Sequence, residues 1–259
     1  MPNDALIARP DLARIKVACT NCTLYQLCLP VGMGDPELAL LEDIIKVKRP
    51  LARSQHLYQM GDSFTSLYAV RSGSLKTYAL TEDGREQVTG FHLPGELVGL
   101  DAISSERHHC AARALETTSV CEIPFDRFED LWVRIPSLPH QLLRVMSKEM
   151  RHDQTLLMLL GKKAAEERLA AFLVNLAGRF GQRGFSSREY NLSMSRNDIG
   201  NYLGLAVETV SRLFTHFQEL NLLNVHRKSV QLLDLPALQA LAGVSEPPPD
   251  TRAGQGGRV

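Results

Sequence analysis

The sequence predicts an α+β protein in which an antiparallel sandwich or barrel precedes a long helix and a helix-turn-helix. Three observations lead to this fold class. Short alternating runs between residues 51 and 124 are separated by turn signals about every 10–12 residues, which is typical of antiparallel strands. An uninterrupted helical pattern then covers residues 140–160. Residues 194–220 contain two short amphipathic helices joined at a glycine, the pattern of a helix-turn-helix.

The bulk composition is that of a globular chain. Its 259 residues, 44% of them hydrophobic, are enough to form a buried core in one or two domains. No run approaches the ~18 apolar residues of a membrane span. The N-terminal residues lack the continuous apolar stretch of a secretory signal. We therefore expect a cytoplasmic protein that does not enter a membrane.

The N-terminal third of the chain begins with mixed sequence and then becomes regular. Residues 1–35 have no clear pattern and are interpreted as a separate N-terminal segment. Apolar residues recur at helical spacing after it, and Pro50 ends that pattern, so we expect one short helix over 36–50. Among the turns of the strand region, Asp83-Gly84 is the strongest hairpin signal.

The long helical pattern carries a heptad seam. Six of its residues are separated alternately by three and four positions: Leu143, Met146, Met150, Asp153, Leu157 and Leu160. A seam of about three heptads is typical of a coiled coil, so we expect a homodimer held by a helix over 136–162. A core helix of the same chain is the alternative interpretation. Asp153 is the exception, because it occupies a position that is otherwise apolar.

The helix-turn-helix begins at a predicted N-cap. Ser195 is followed three residues later by Asp198, which together can satisfy the first backbone N–H groups of a helix. Gly204 stands where a tight turn between the helices needs it. The second helix has a regular apolar stripe that we expect to be buried: Val210, Leu213, Phe214 and Phe217.

Three polar residues near the start of the second helix lie on one face: Glu208, Ser211 and Arg212. Such residues reach base edges when a recognition helix enters the major groove of double-stranded DNA. Arginine can bind guanine, and glutamate can accept from cytosine. Residues 161–231, with ten Lys or Arg and six Asp or Glu, are mildly basic, which weakly favours an anionic partner. The alternative is a Glu208–Arg212 ion pair on a solvated helix.

The chain has five cysteines. Cys19, Cys22 and Cys28 lie within ten positions, whereas Cys110 and Cys121 follow much later. In a reducing cytosol, clustered thiols indicate metal or redox chemistry before a disulfide framework. An iron–sulfur cluster, a structural zinc ion and a metal-free thiol switch all remain open on this pattern. No P-loop, G-x-S-x-G elbow or H-E-x-x-H motif occurs, so we do not expect an enzyme.

Several long stretches resemble the cyclic-AMP receptor protein/FNR superfamily of bacterial transcription regulators. They are LCLP, SLYAVRSGSLKTY, GREQVTGFHLPGELVGLDAI, ALETTSVCEIPF, AEERLAAFLVNLAGRFGQRGFS and RNDIGNYLGLAVETVSRL. The resemblance covers about residues 17–243. It implies a β-roll over 36–135, like the double-stranded jelly roll that binds cyclic nucleotides, then the dimerisation helix and a winged helix-turn-helix over 163–243. The Pro/Gly-rich tail, 244–259, is expected to be disordered.

The resemblance also implies a partner and a biological role. Regulators of this type bind inverted repeats with TTGAT-like half-sites, which here would be read by Glu208, Ser211 and Arg212. A two-fold dimer explains an inverted repeat. Binding would activate or repress genes for anaerobic respiration. RNA polymerase would be contacted through exposed hairpin tips, for which the candidates are Ser72-Gly73 and Asp83-Gly84-Arg85. The alternative is that both are simply turns.

The FNR-type members of this superfamily hold an oxygen-labile [4Fe–4S] cluster with four cysteines. Their C-x2-C-x5-C run is matched here by Cys19, Cys22 and Cys28, and their fourth ligand, in the stretch VCEIPF, corresponds to Cys121. Four thiolates are the usual ligand set of such a cluster. Cys110 matches no ligand position and is expected to be a structural or free thiol. The residues between the ligands are expected to surround the cluster and control oxygen access: Asn21, Thr23 and Leu27.

One departure from the wider superfamily concerns cyclic nucleotides. Members that bind them hold the phosphate with an Arg-Ser pair, and His108 and His109 stand at about those places here. We therefore expect no cyclic-nucleotide binding. The two histidines are interpreted as part of an exposed polar loop, with metal ligation as the alternative.

Overall fold

A computed structural model describes residues 19–243. Its N-terminal part comprises helix α1 (Asp35–Ile44), eight strands and helix α2 (Phe125–Asp130). The strands are β1 (Lys46–Val47), β2 (His56–Tyr58), β3 (Ser66–Ser72), β4 (Leu75–Leu80), β5 (Glu86–His92), β6 (Leu97–Val98), β7 (Ala111–Ala114) and β8 (Ser119–Pro124). The residues expected to form a disordered tail lie outside the described part of the chain, as does most of the N-terminal segment.

The eight strands form two antiparallel four-stranded sheets. One sheet has the order β1-β8-β3-β6 and the other β2-β7-β4-β5. Alternate side chains of the strands fill the space between them, and Val70, Leu75 and Val120 are fully buried there. Alternation predicted this sandwich, because side chains of a strand point to opposite faces at a period of two. The predicted α+β fold class is confirmed.

Helix α1 ends earlier than its apolar pattern predicts. The helix stops at Ile44, and Lys46 and Val47 form strand β1 instead. These two residues pair with Glu122 and Cys121 of strand β8. The predicted helix over 36–50 was therefore wrong beyond residue 44, because pairing with a distant strand overrides the local pattern. The pairing places the end of α1 beside Cys121.

Helix α3 (Ser137–Lys162) follows the sheets and runs for 26 residues. Leu138 and Leu142, in its first turns, are buried in the core of the N-terminal part. Farther along, the seam is open to solvent: Leu143, Met150 and Leu157 are 59%, 61% and 69% exposed. Within the described residues, these seam positions are therefore not buried in a core, as the alternative of a core helix would require.

The C-terminal part contains four helices and a small sheet. The helices are α4 (Ala165–Gln182), α5 (Arg196–Leu203), α6 (Val207–Glu219) and α7 (Leu235–Ala242). The strands are β9 (Glu189–Asn191), β10 (Leu223–His226) and β11 (Ser229–Leu232), in the order β10-β11-β9. Helix α7 was not anticipated, although Asp234 caps it by accepting a hydrogen bond from the Ala237 N–H at 2.9 Å. None of the described helices is long and apolar enough to cross a membrane.

Helices α5 and α6 form the predicted helix-turn-helix. The Ser195 hydroxyl accepts a bond from the Asp198 N–H at 3.1 Å, and the Asp198 carboxylate accepts one from the Ser195 N–H at 3.0 Å. Gly204 ends α5 with a φ of +63°, which glycine adopts at little cost. The predicted apolar stripe of α6 is buried.

Gly200 allows the two helices to approach closely. A Cβ on Gly200 would stand 2.6 Å from the carbonyl oxygen of Leu205, so we expect Gly200→Ala to force α5 away from the turn. The free energy of unfolding should fall by about 1–3 kcal/mol, as for other overpacked sites. Urea unfolding measures this change.

The matched control is Gly178→Ala in α4, where an added Cβ meets nothing within 4 Å. This substitution should stabilise the protein by about 0.5–1 kcal/mol, because alanine loses less backbone entropy in a helix. Equal effects of the two substitutions would contradict the close approach at Gly200.

Candidate metal centre and nucleic-acid interface

Residues 19–30, here called the cysteine loop, fold into two short 3-10 turns. These turns span Cys19–Asn21 and Tyr25–Leu27. The N–H of Cys22 donates to the Cys19 carbonyl at 3.1 Å, and the N–H of Cys28 donates to the Leu24 carbonyl at 3.2 Å. Consecutive tight turns bring the three close-spaced thiols of the loop back toward one another.

The loop is held against the first sheet by apolar contacts. Leu29 is 1% exposed and Met33 is 6% exposed, and both pack in one cluster with Leu41 of α1. The Tyr25 hydroxyl donates to the Met33 carbonyl at 2.9 Å. The fourth thiol, Cys121, belongs to the central strand β8, between β1 and β3. The cysteine loop therefore contacts a central strand that lies about a hundred residues later in the sequence.

Four thiols line one small cavity of about 30 Å³, here called the cysteine pocket. They belong to Cys19, Cys22, Cys28 and Cys121, the same four cysteines that the resemblance implied as ligands. The remaining walls of the pocket are mainly apolar: Leu24, Tyr25, Leu29, Pro30, Leu41, Ile45, Ala69, Val70, Arg71, Gly95 and Ile123.

Burial and mutual repulsion make thiolates unfavourable in this pocket. Burial, with the charge of Cys121 next, raises the pKa of Cys19 to about 12. Burial also raises the pKa of Cys28 to about 12, with smaller contributions from the other three thiolates. The pKa of Cys121 is raised by burial, and Arg71 opposes that shift. Thiolates gathered here therefore need a bound cation to neutralise them.

The donor set fits a thiophilic metal group. Thiolates select zinc, copper(I) and iron–sulfur clusters, and four cysteine thiolates are the ligand set of [4Fe–4S] clusters. Among residues 19–243, no group of three or more His, Cys, Asp or Glu side chains has the arrangement to hold a single metal ion. The described chain instead places four thiols around one cavity.

The three residues expected to surround a cluster occupy different environments. Asn21 and Thr23 are exposed, whereas Leu27 is half-buried. Leu27 packs directly against the backbone of Gly95, where an added Cβ would stand 2.9 Å from the Leu27 Cβ. Leu27 therefore joins the cysteine loop to the turn between β5 and β6, a contact that sequence reasoning did not foresee.

Cys110 lies outside the cysteine pocket. Its thiol contacts the Asp101 carboxylate at 3.4 Å, and burial, with the Asp101 charge next, raises its pKa to about 12. The thiol is therefore protonated near neutral pH and poorly reactive.

The expectation of an exposed polar loop is wrong for His108 and holds for His109. His108 is 4% exposed, and its ring stacks on Tyr58 with the centroids 3.7 Å apart. The ring of Phe64 contacts it edge-on. Two aromatic neighbours explain the burial, because they cover both a face and an edge of the imidazole. His109 is exposed, and its backbone N–H donates to Asp101 at 2.8 Å.

A cavity of about 620 Å³ lies between the strands and helices α3 and α4. His92 and Glu149 are among its lining residues. Burial lowers the pKa of His92 to about 4, so its imidazole is neutral at pH 7. Burial raises the pKa of Glu149.

The expectation that no cyclic nucleotide is bound remains a prediction.

Helix α6 presents the three candidate DNA-reading residues on its exposed face. Glu208, Ser211 and Arg212 are all exposed, while Val210 on the opposite face is fully buried. The Arg212 guanidinium lies 3.5 Å from the Thr209 hydroxyl. The alternative Glu208–Arg212 ion pair is not formed between these described residues.

The packing of α6 against α5 is reinforced by a cation–π contact. The guanidinium of Arg196, at the start of α5, lies 3.1 Å from the ring centroid of Phe214 in α6. Burial lowers the pKa of Arg196 to about 10, so the group keeps its charge at neutral pH. This contact fixes the position of the helix that carries the exposed polar face.

Two domain families match this sequence. The model of the cyclic nucleotide-binding domain matches residues 48–134, and the model of the Crp-like helix-turn-helix domain matches residues 167–241. The first match covers strands β2 to β8, and the second covers nearly all of helices α4 to α7 with the strands between them.

Curated relatives match nearly the whole chain. The transcriptional activator protein Anr of Pseudomonas protegens is 55% identical over 227 residues, covering 88% of this chain and 93% of that protein. The fumarate and nitrate reduction regulatory protein of Yersinia pestis is 50% identical over 247 residues, covering 95% of this chain and 99% of that protein.

Solved structures agree with the fold. FixK2 from Bradyrhizobium japonicum matches with a TM-score of 0.71 and 31% identity, covering 76% of this chain and 97% of that one. A CooA mutant from Carboxydothermus hydrogenoformans matches with a TM-score of 0.63 over 79% of this chain and 89% of that one. At 20% identity, this second match speaks for the fold alone.

Proposed function

Since the chain belongs to the Crp/FNR family of transcription regulators, we propose that it is a cytoplasmic, oxygen-responsive regulator of anaerobic metabolism. A [4Fe–4S] cluster in the cysteine pocket promotes dimerisation and binding to inverted repeats. The observation that carries this proposal is the gathering of four thiols around one apolar cavity. The names of the relatives support the biological role, because one is a transcriptional activator and another is a fumarate and nitrate reduction regulatory protein.

The four cysteines would hold the cluster and fasten the loop to the sheet. When bound, a [4Fe–4S] cluster supplies a core that oxygen converts or destroys. Cys19, Cys22 and Cys28 belong to the loop, whereas Cys121 belongs to the central strand β8. Ligation by all four therefore adds a cross-link between the loop and the sheet. Loss of ligation leaves the loop held by apolar packing and hydrogen bonds alone.

The cysteine assignment is tested by single substitutions to serine. After anaerobic treatment with iron and sulfide, the unaltered protein should show a broad visible absorbance that decays in air. Cys121→Ser should abolish this band, because one of four ligands is lost. Cys110→Ser is the matched control and should keep the band, since Cys110 lies outside the pocket.

Metal and sulfide analysis decides between the candidate groups. A colourless protein with one bound zinc ion would replace the cluster by a structural zinc site. A protein without metal whose DNA binding follows thiol oxidation would indicate a redox switch. Loss of the band in Cys110→Ser would contradict the ligand assignment.

Helix α3 provides the proposed dimer interface. Leu143, Met150 and Leu157 are exposed at intervals of seven residues, as expected of a coiled-coil seam. The exposed Asp153 lies between them and makes no ion pair with another described residue. In a parallel dimer, the two Asp153 carboxylates would approach across the two-fold axis and repel each other. The cluster-dependent position of α3 must overcome this repulsion.

Asp153→Ala should therefore dimerise in air without a cluster. Two charges about 8 Å apart at an effective dielectric constant of about 20 repel by about 2 kcal/mol, which corresponds to roughly a 30-fold weaker dimer. Analytical ultracentrifugation under air measures the dissociation constant. Gln154→Ala, an exposed neighbour outside the seam, is the control and should stay monomeric. A monomeric Asp153→Ala variant would show that Asp153 does not oppose dimerisation.

Helix α6 would read the half-site. The proposed dimer places two copies of this helix in successive major grooves of an inverted repeat with TTGAT-like half-sites. Glu208, Ser211 and Arg212 would contact base edges there. RNA polymerase would meet the exposed hairpin tip that includes Asp83 and Arg85.

Arg212→Ala should weaken binding to the operator by about 1–3 kcal/mol and relax the preference at one base pair per half-site. Fluorescence anisotropy at fixed salt, with the operator and its single-base variants, measures both effects. Arg53→Ala, an exposed arginine in the N-terminal part, should leave both unchanged. An equal loss on every sequence would indicate that Arg212 binds phosphate rather than a base.

A further inference from the structure

The turn between β5 and β6 contacts the cysteine loop on one side. Gly95 has a φ of +90°, and its missing Cβ makes room for Leu27 and Leu24 of the loop. Gly95 also lines the cysteine pocket. Its N–H donates to the Val70 carbonyl at 2.8 Å, and the Val70 N–H donates to the Glu96 carbonyl at 2.9 Å. These two hydrogen bonds therefore attach the turn to strand β3.

The same turn contacts helix α4 on its other side. The Glu96 carboxylate accepts hydrogen bonds from the guanidinium groups of Arg179 and Arg183. Arg183 also donates to the Pro94 carbonyl at 2.6 Å, and Arg179 donates to the Phe91 carbonyl. Arg179 belongs to the last turn of α4 and Arg183 directly follows the helix, and both are more than eighty residues away from Glu96 in sequence.

The Glu96 cluster is buried and fully charged. The side chains of Glu96, Arg179 and Arg183 are 12%, 16% and 2% exposed. Burial alone would raise the pKa of Glu96, but the two guanidinium groups lower it to about 2. Removing one partner of such a group is costly, because it leaves unpaired charge in a dry environment. The contact therefore holds the C-terminal end of α4 against the turn.

Helix α4 also packs against the helix-turn-helix. Leu169 and Leu173 of α4 are fully buried in one core with Ile199 of α5 and Val210 of α6. At the other end of α4, Arg168 donates to the Leu203 carbonyl of α5 at 3.1 Å. A displacement at the last turn of α4 therefore moves α5 and α6 with it.

We propose that the Pro94–Glu96 turn transmits the state of the cysteine loop to the helix-turn-helix of the same subunit, with Glu96 as the positioning residue. The inference rests on the proposed function, because it takes the ligated cysteine loop as its input. It adds a path that does not pass through dimerisation. Three consecutive residues contact the loop and α4, and no flexible segment separates them.

A second contact between the same two parts of the molecule provides the control. Lys76 of β4 is 4% exposed and forms ion pairs with Asp198 of α5 at 2.7 Å and with Glu86 at 3.0 Å. Like the Glu96 cluster, this contact pairs one buried charge with two opposite charges, although Glu86 is 34% exposed. It lies on the β4–β5 hairpin and is not part of the cysteine pocket. Lys76→Met therefore weakens the docking of the two parts without cutting the path through Glu96.

Hydrogen exchange of the full-length protein, read by mass spectrometry without oxygen, tests the path. Loading with iron and sulfide should slow exchange in the last turns of α4 by about fivefold or more, as expected for a coupling of about 1 kcal/mol. In Glu96→Gln, loading should still protect the Pro94–Glu96 turn but leave α4 unchanged. Lys76→Met should keep the response of α4. A full response in Glu96→Gln, or an equal loss in Lys76→Met, would overturn the proposal.

A second arm needs no cluster. Leu27→Ala removes the side chain that packs on Gly95, so it should speed exchange in the last turns of α4 of the cluster-free protein. Added to Glu96→Gln, it should have no further effect there, which makes the two substitutions a double-mutant cycle.

The two experiments distinguish a failure of the path through Glu96 from a failure of the proposed oxygen-sensing function. A chain that takes up no cluster but shows this non-additivity would retain the path and lose the oxygen-sensing function. A chain that takes up a cluster but shows no response of α4 to Leu27→Ala would retain the function and lose the path.

Discussion

The gathering of four thiols around one apolar cavity is the constraint on which the rest of this structure depends. Each thiol alone would be an ordinary small hydrophobic side chain. Together, their thiolates repel one another in a place where burial already raises the pKa of Cys19 and Cys28 to about 12. Under the proposed function, the pocket therefore has two very different states, one protonated and one ligated. Ligation would add covalent ties between the loop and the sheet, which would make the loop a suitable input for a switch.

In the proposed dimer, helix α3 is balanced so that a small input decides whether the subunits associate. In a dimer, six large exposed side chains from the two seams would stabilise association by about 1.5–3 kcal/mol each, and association itself costs about 4–15 kcal/mol. These terms are close to one another. A repulsion of about 2 kcal/mol between two Asp153 carboxylates is then enough to hold the subunits apart. A wholly apolar seam would remove this sensitivity, because the dimer would form regardless of the cysteine pocket.

Local signals predicted the local structure, and contacts distant in sequence escaped prediction. The cap at Ser195 and the left-handed Gly204 lie where the sequence placed them, because each depends on residues within one helical turn. The burial of His108 depends on Tyr58 and Phe64, far away in the chain. The contact of Glu96 with the arginines of α4 is equally non-local. The ligand set could not be deduced from cysteine spacing alone and came from a family resemblance.

The contact at Glu96 acts through the length of α4. About eleven residues separate Arg179 from Arg168, which contacts α5, and at 1.5 Å per residue this is a lever of about 16 Å. A rotation of about 7° at the Glu96 end would displace the other end by about 2 Å. Bidentate contacts to base edges tolerate far less than this displacement. Under the two proposals, a dimer with the correct symmetry would still read DNA poorly if its α4 helices were displaced, because operator recognition would require both the paired α3 helices and the orientation of each α4.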